Sequence, residues 1–243
     1  IDRSGPHAAE KMRVDFVANA SHELRTPLAA ILGFIETLTD PKAGADQETR
    51  DRFLKIMDGE ARRMQQLVDD LMSLSRIEAE KYRLPDTAVD MEELVTEVSD
   101  IFRQRPRGGD IVVSVDALIS PVQGERAQLS QVLHNLIGNS VKYGRPNTPI
   151  TVSLTRATPQ MVRLTVADEG EGIAPDHLPR LTERFYRVDS GRSRAMGGTG
   201  LGLAIVKHVV ERHRGRLDIS SVLGKGTTVT ILLPIAEADA AQP

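Results

Sequence analysis

Two apolar stripes at helical spacing, separated by one short polar loop, constrain this chain more than any other feature. In the first, Val17, Leu24, Leu28, Ile31, Ile35 and Leu38 recur at three-, four- and seven-residue intervals, which predicts one buried face of a helix. After Thr39-Asp40-Pro41-Lys42-Ala43-Gly44-Ala45-Asp46, a second run places Phe53, Met57, Met64, Leu67, Leu71 and Leu74 at heptad-compatible positions, with Glu60 as the polar interruption. A loop this short makes the two helices antiparallel neighbours. Narrow seams are poorly buried by a lone pair, so the economical arrangement is a homodimer closing a four-helix bundle.

His22 lies two positions before Leu24 and therefore falls off the stripe, with Glu23 beside it, so the spacing predicts an imidazole that faces water. Pro27, inside the same helix, removes a backbone donor and crowds the preceding turn. A kink or loosening just beyond His22 is expected from it. The run is not a zinc-protease motif, because the position four residues after His22, where a second histidine would bind metal, is Thr26.

Composition limits the remaining classes. With 243 residues, 40% apolar and 27% charged, the chain has the make-up of an ordinary folded protein of one or two domains. A net charge of −3, with Arg103-Gln104-Arg105-Pro106-Arg107 as its short basic run, argues against a nucleic-acid platform. No apolar run reaches membrane-spanning length, so no membrane contact is expected within this stretch. The lack of cysteine removes disulfides and thiolate metal sites and fits a reducing compartment. Because the sequence begins at Ile1 rather than Met, it reads as a cytoplasmic fragment of something longer.

The heptad pattern stops near Ala79 to Asp86, and helix and strand signals mix afterwards. The pattern predicts helices over Met91 to Arg105, Glu125 to Tyr143 and about Thr199 to Arg214. It predicts strands over Ile111 to Asp116, Ile150 to Arg156, Met161 to Ala167, Leu217 to Val222 and Thr227 to Leu233, the second and third forming a hairpin. The fold class is thus α+β in two domains: the hairpin, then an α/β sandwich with helices on one face of a mixed sheet. In residue numbers, the hairpin occupies 1–80, a linker 81–86, the second domain 87–235 and a C-terminal tail 236–243.

Three motifs in the second domain carry chemistry. Asp168-Glu169-Gly170-Glu171-Gly172-Ile173 ends a strand, where the glycines let the backbone approach a flat ligand and Asp168 can accept from an exocyclic amine. Gly197-Gly198-Thr199-Gly200-Leu201-Gly202-Leu203 opens a helix, so backbone N–H groups and the positive helix end converge on a place suited to phosphate. On the helix Asn135-Leu136-Ile137-Gly138-Asn139-Ser140-Val141-Lys142-Tyr143, the two asparagines are four apart on one face. An amide oxygen suits Mg²⁺, although a packing or cap-like role fits Asn135 as well. Lys142 adds a point charge for phosphates and Tyr143 a flat surface or a plain core residue. Rival nucleotide motifs fail: Pro175 stands where a dinucleotide fold wants Gly or Ala, and Gly224-Lys225-Gly226-Thr227 lacks the spacing and ending of a P-loop.

Taken in order, His22-Glu23-x-x-Thr26-Pro27, the two-asparagine helix, Asp168-x-Gly170-x-Gly172, Arg184-Phe185-Tyr186-Arg187 and Gly198-x-Gly200-x-Gly202 closely resemble the H, N, G1, F and G2 boxes of the two-component sensor histidine kinases. The resemblance covers residues from about 10 to 235, and Phe16-Val17-Ala18-Asn19 before the histidine looks like the phosphate-regulon sensor branch. It implies the ATP-binding fold shared with gyrase, Hsp90 and MutL. It also implies that adenine sits at Asp168 between Gly170 and Gly172, Mg²⁺ at Asn139, and phosphates near Lys142, Arg187 and the turn Gly198, Thr199, Gly200, Leu201 and Gly202, with Asn135, Tyr143 and Thr227 also at the nucleotide. His22 is then the nucleophile toward the γ-phosphorus, Glu23 its general base, and Thr26 the residue orienting water against a response regulator's phospho-Asp. The same resemblance implies autophosphorylation, transfer to a response regulator receiver domain, regulator phosphatase activity, a homodimer, and a full-length protein anchored in the inner membrane.

Thr182 departs from the family's usual aromatic and Ser140 from its usual alanine, the second a small change. The stretch from Ile173 to Gly198 fits a nucleotide lid. His134, His177, His208 and His213 match no catalytic position and read as surface or packing residues. Two other classes stay in view. A gyrase-type ATPase or clamp would leave His22 and the heptad hairpin without a purpose, and a kinase-like scaffold without turnover would not need Asn139, Asp168 and the glycines intact.

Overall fold

The computed structural model describes residues 4–42, 45–80, 82–105, 110–117, 119–189, 191 and 196–236, with residues 4–13 described by backbone alone. The tail beyond Ala236, Lys81 of the linker, Pro106 and Arg107 of the basic run, and residues 190 and 192–195 of the lid stretch lie outside the described residues. Two compact units make up the chain: Ile1–Met72 with Asp189–Leu201, and Ser73–Val188 with Gly202–Pro243.

The first unit is built on helices α1 (Ser4–Thr39) and α2 (Gln47–Ala79), of which α2 enters it as far as Met72. The carboxylate of Asp46 starts α2 by accepting from the Thr49 N–H at 2.9 Å, and the rings of Phe34 and Phe53 meet with centroids 4.8 Å apart. α1 continues as one helix through the buried Pro27.

The apolar stripe of α1 is only partly covered. Leu24, Ile31 and Leu38 are half-buried as expected, but Val17, Leu28 and Ile35 are 58%, 45% and 42% exposed. Periodicity reports that a helix has an apolar face without saying which neighbour covers it, and α1 carries a second strip, Val14, Val17, Leu28, Leu32 and Ile35, left open in the single chain. On α2, Leu54, Val68 and Met72 are also open, whereas Leu67 is buried together with two charged residues, Arg63 and Asp70.

The second unit begins with the end of α2, where Leu74 and Ile77 are buried and the Ser73 hydroxyl donates to Gln131 Oε1 at 2.7 Å. β1 (Thr87–Val89) and β3 (Val122–Gly124) pair as a two-stranded antiparallel sheet absent from the sequence expectation, since three residues are too few to establish a period. Helix α3 (Met91–Arg103) starts at Asp90, whose side chain accepts from the Glu93 N–H at 3.0 Å.

The main sheet runs β2 (Asp110–Val115), β4 (Pro149–Thr158), β5 (Met161–Asp168), β7 (Gly226–Pro234) and β6 (Arg216–Val222) in spatial order. β2 is parallel to β4 and every other pair is antiparallel, which is the mixed sheet expected. Register stacks one apolar row across it, with Leu154 opposite Leu164 and Leu164 opposite Ile231, all buried. Against this core lie α4 (Arg126–Tyr143), which buries Leu129, Val132, Leu133, Leu136 and Ile137, and α5 (Gly202–Arg212), which buries Ile205, Val206 and Val209. α5 opens three residues later than expected because Gly200 has φ of +75°, outside helical conformation.

The start of α4 and the end of α5 are tied by polar groups. The buried Arg212 donates to Glu125 Oε2 at 2.7 Å and Gln128 Oε1 at 2.8 Å, and lies 3.2 Å from Glu80 Oε2. His213 beside it accepts the Glu125 N–H on Nε2 at 3.0 Å and donates from Nδ1 to the Val209 carbonyl at 2.7 Å, a packing role as expected.

Among the described residues no helix is long and apolar enough to cross a membrane. Leu164→Ala removes the centre of the buried row and is expected to cost about 2–5 kcal/mol in denaturant unfolding of this unit. Thr151→Ala, exposed on the other face of the sheet, is expected to stay within about 0.5 kcal/mol.

Candidate functional site

The second unit gathers one constellation around Asp168, the last residue of β5. Its carboxylate accepts from the Gly170 N–H at 2.8 Å, from the Ser140 hydroxyl at 3.2 Å, and from the backbone N–H of Thr227, its register partner on β7. Ser140, a minor departure by sequence alone, is therefore a direct partner of the aspartate. Burial pushes the Asp168 carboxyl above the ordinary aspartate range, and the hydrogen bonds from Gly170, Ser140 and Thr227 pull against that shift.

Close backbone approach explains the glycines here. A Cβ on Gly170 would lie 2.5 Å from the Tyr143 carbonyl oxygen and 2.7 Å from Asp168 Oδ1. Gly172, at φ of +72°, would meet the Val222 carbonyl oxygen at 2.1 Å. The start of α5 touches the same helix: a Cβ on Gly202 would stand 3.2 Å from Asn135 Oδ1. Among the described residues, Asn135 Nδ2 is buried without a hydrogen-bond partner, an orphaned donor that a ligand oxygen would satisfy. Asn139 is half-buried on α4, one turn beyond Asn135, while Lys142 and Tyr143 are exposed at the helix end and Arg187 is half-buried after the 3₁₀ turn Pro175–Arg180. The structure thus brings together Asp168, Gly170, Ser140, Tyr143 and Thr227, with Asn135 and Gly202 as a second contact on α4 and Gly172 packed against Val222.

Gly198, Thr199, Gly200 and Leu201 belong to the first unit. There the buried Thr199 hydroxyl donates to Asp70 Oδ2 of α2 at 2.6 Å, Gln66 Nε2 donates to the other Asp70 oxygen at 2.8 Å, and the Leu201 N–H reaches Thr199 Oγ1 at 3.3 Å. Asp70 had no signal in the sequence beyond a charge near the seam.

On α1 the His22 side chain is exposed, as its spacing predicts. The neighbouring Glu23 is half-buried and accepts from Arg63 Nη2 at 3.0 Å. Thr26 is exposed, and its hydroxyl donates back to the His22 carbonyl oxygen at 3.2 Å. The remaining histidines take packing or surface roles: His134 Nδ1 donates to the Ser130 carbonyl at 2.9 Å, and His177 Nδ1 lies 2.6 Å from the Tyr186 hydroxyl.

Residues 12–80 match the family described as His Kinase A (phospho-acceptor) domain, and residues 124–237 match that described as Histidine kinase-, DNA gyrase B-, and HSP90-like ATPase. The phosphate regulon sensor protein PhoR of Pseudomonas aeruginosa is 44% identical over 241 residues, covering 98% of this chain and 54% of PhoR. The chain therefore spans about half the length of that relative. Among solved structures, the mycobacterial sensor histidine kinase MprB is 30% identical with a TM-score of 0.54, covering 63% of this chain and 99% of that one. Full-length ShkA in complex with AMPPNP is 29% identical with a TM-score of 0.66, covering 93% of this chain and 47% of that one.

An ionised carboxylate is the stronger acceptor, so, with Asp168 as the adenine acceptor that the resemblance implies, affinity for an adenine nucleotide is expected to fall on acidification through the raised Asp168 pKa, at a pH above that of an ordinary aspartate. Ser140→Ala deletes a donor that favours the ionised form and is expected to move this acid limb to higher pH. Calorimetric titration with a non-hydrolysable ATP analogue across pH checks both.

Proposed function

The chain belongs to the sensor histidine kinases, and from that membership we propose that it is a core that autophosphorylates His22 from ATP and passes the phosphoryl group to an aspartate of a response regulator. The carrying observation is the pairing, in one chain, of an exposed His22 within the matched phospho-acceptor region and the Asp168 constellation within the matched ATPase region. The half-buried, hydrogen-bonded carboxylate of Asp168 suits an adenine amine, and the glycines beside it leave room for a flat ring. The orphaned Asn135 Nδ2 and the Asn139 amide oxygen suit a phosphate oxygen and Mg²⁺ respectively. Lys142, Arg187 and the glycines from Gly198 to Gly202 supply cationic and N–H donors to the phosphates, with Thr227 and Tyr143 flanking the base.

Within this reading, His22 Nε2 or Nδ1 forms the bond to the γ-phosphorus as the bond to the bridging oxygen of ADP breaks, and Glu23 accepts the imidazole proton. Thr26 orients water for hydrolysis of the regulator's phospho-Asp, the phosphatase activity of the same helix. The open apolar strips on α1 and α2 support a homodimer closed as a four-helix bundle, and the full-length protein is a sensor anchored in the inner membrane.

The test is incubation with γ-labelled ATP followed by acid and alkali treatment. The expected product is acid-labile and alkali-stable, and His22→Gln is expected to abolish it while ATP still binds. Wild-type labelling in His22→Gln would overturn the reading. Asn139→Ala is expected to remove Mg²⁺-dependent labelling. Asp168→Ala is expected to weaken ATP by about tenfold to a hundredfold, the loss of a charged hydrogen bond worth roughly 1.5–3 kcal/mol. Thr26→Ala is expected to retain autophosphorylation and transfer while leaving the phosphorylated regulator long-lived. A uniform slowing with a lowered melting temperature would instead assign Thr26 to bracing the helix through its bond to the His22 carbonyl.

A further inference from the structure

Arg63 on α2 is buried, with 7% of its side chain exposed. Its Nη2 donates to Glu23 Oε2 at 3.0 Å, and its Nη1 lies 3.7 Å from Glu60 Oε2, one turn earlier on α2. The two carboxylate side chains are themselves only 21% and 29% exposed. A hairpin interior is served as well or better by an apolar residue of similar size, so stability alone is a weak reason for a guanidinium here. What the pair does accomplish is positional: it crosses the hairpin and takes hold of the residue immediately following the exposed His22.

The geometry points to Arg63 as a positioning residue for phosphoryl acceptance, acting through Glu23; this rests on the reading of Glu23 as the base for His22. A free glutamate has three side-chain torsions and spreads its carboxylate over many places, whereas a general base must lie within hydrogen-bond reach of the proton it takes. By holding Oε2, Arg63 restricts those torsions. Glu60 engages the other arm of the guanidinium, so the planar fork is oriented before it meets Glu23. A lysine would bring the charge without that plane.

The experiment follows labelling from γ-labelled ATP over time with the whole chain, at saturating and at varied ATP, for wild type, Arg63→Gln, Arg63→Lys, Glu23→Gln and the double variant Glu23→Gln with Arg63→Gln. The expected results are a rate at saturating ATP lowered about tenfold in Arg63→Gln, part of the about 10²–10⁴ that a general base supplies, with an unchanged half-saturating ATP concentration. Arg63→Lys is expected to recover part of the loss, and the double variant to be no slower than Glu23→Gln. An Arg63→Gln rate equal to wild type while Glu23→Gln is slow overturns the inference. So does the same fold-loss from Arg63→Gln in both backgrounds, which would assign Arg63 to hairpin packing. A wild-type rate in Glu23→Gln overturns the reading of Glu23 itself. Should Arg63→Gln fail to fold by circular dichroism, Arg63→Lys in the two backgrounds decides by the same comparison: slowing only where Glu23 is present supports the inference, and equal slowing overturns it.

Discussion

The close approach of backbone to the Asp168 carboxylate is the constraint on which the second unit depends. β5 and β7 meet there, and a Cβ on Gly226, at φ of +129°, would come within 1.9 Å of the Asp168 carbonyl oxygen. Only glycine permits the strands to converge so tightly. That convergence brings the Thr227 N–H to the carboxylate, and the same carboxylate takes the Gly170 N–H and the Ser140 hydroxyl. A half-buried anion thus joins the end of β5, the start of β7 and the C-terminal half of α4. Without those donors its desolvation would favour the neutral acid, which donates where the adenine reading needs an acceptor.

The first unit is organised by polar contacts where an apolar seam was expected. Arg63 and Asp70 lie buried on α2, seven residues or two turns apart, and each holds a residue from elsewhere in the unit: Arg63 grips Glu23, and Asp70 grips Thr199. A carboxylate bonded to both Thr199 and Gln66 fixes where a glycine-rich turn, itself free in torsion, comes to rest. The apolar surface that the seam does not use stays outside, on Leu28, Leu32, Ile35 and Val68, where it is available to a second copy.

Much of this was legible from residues alone. Strands β4 and β5 alternate over eight to ten residues, long enough for a period to declare itself. His22 could be placed on the outside of α1 by its offset from Leu24, and Asp168 at a strand end by the glycines that follow. What could not be read depends on residues distant in sequence. The partner of Ser140 is 28 positions away, that of Arg63 is 40 away, and that of Asp70, Thr199, is 129 away. The two short strands β1 and β3 have no period of their own, and apolar spacing does not tell which half of the α1 stripe the hairpin itself covers.

His213 gives the fold an acid limit of its own. Its two bonds require a proton on Nδ1 and a lone pair on Nε2, so the ring must be neutral to hold the Glu125 N–H at the head of α4. Burial is the main cause that lowers its pKa, so the stability it contributes is present above the ordinary histidine pKa and is lost as pH falls through the lowered value. Asp168 runs the other way: its raised pKa means that the folded chain takes up that proton more readily than the unfolded one, so acid favours the fold there. Proton uptake is therefore split within one unit, resisted at the head of α4 and welcomed beside its C-terminal half.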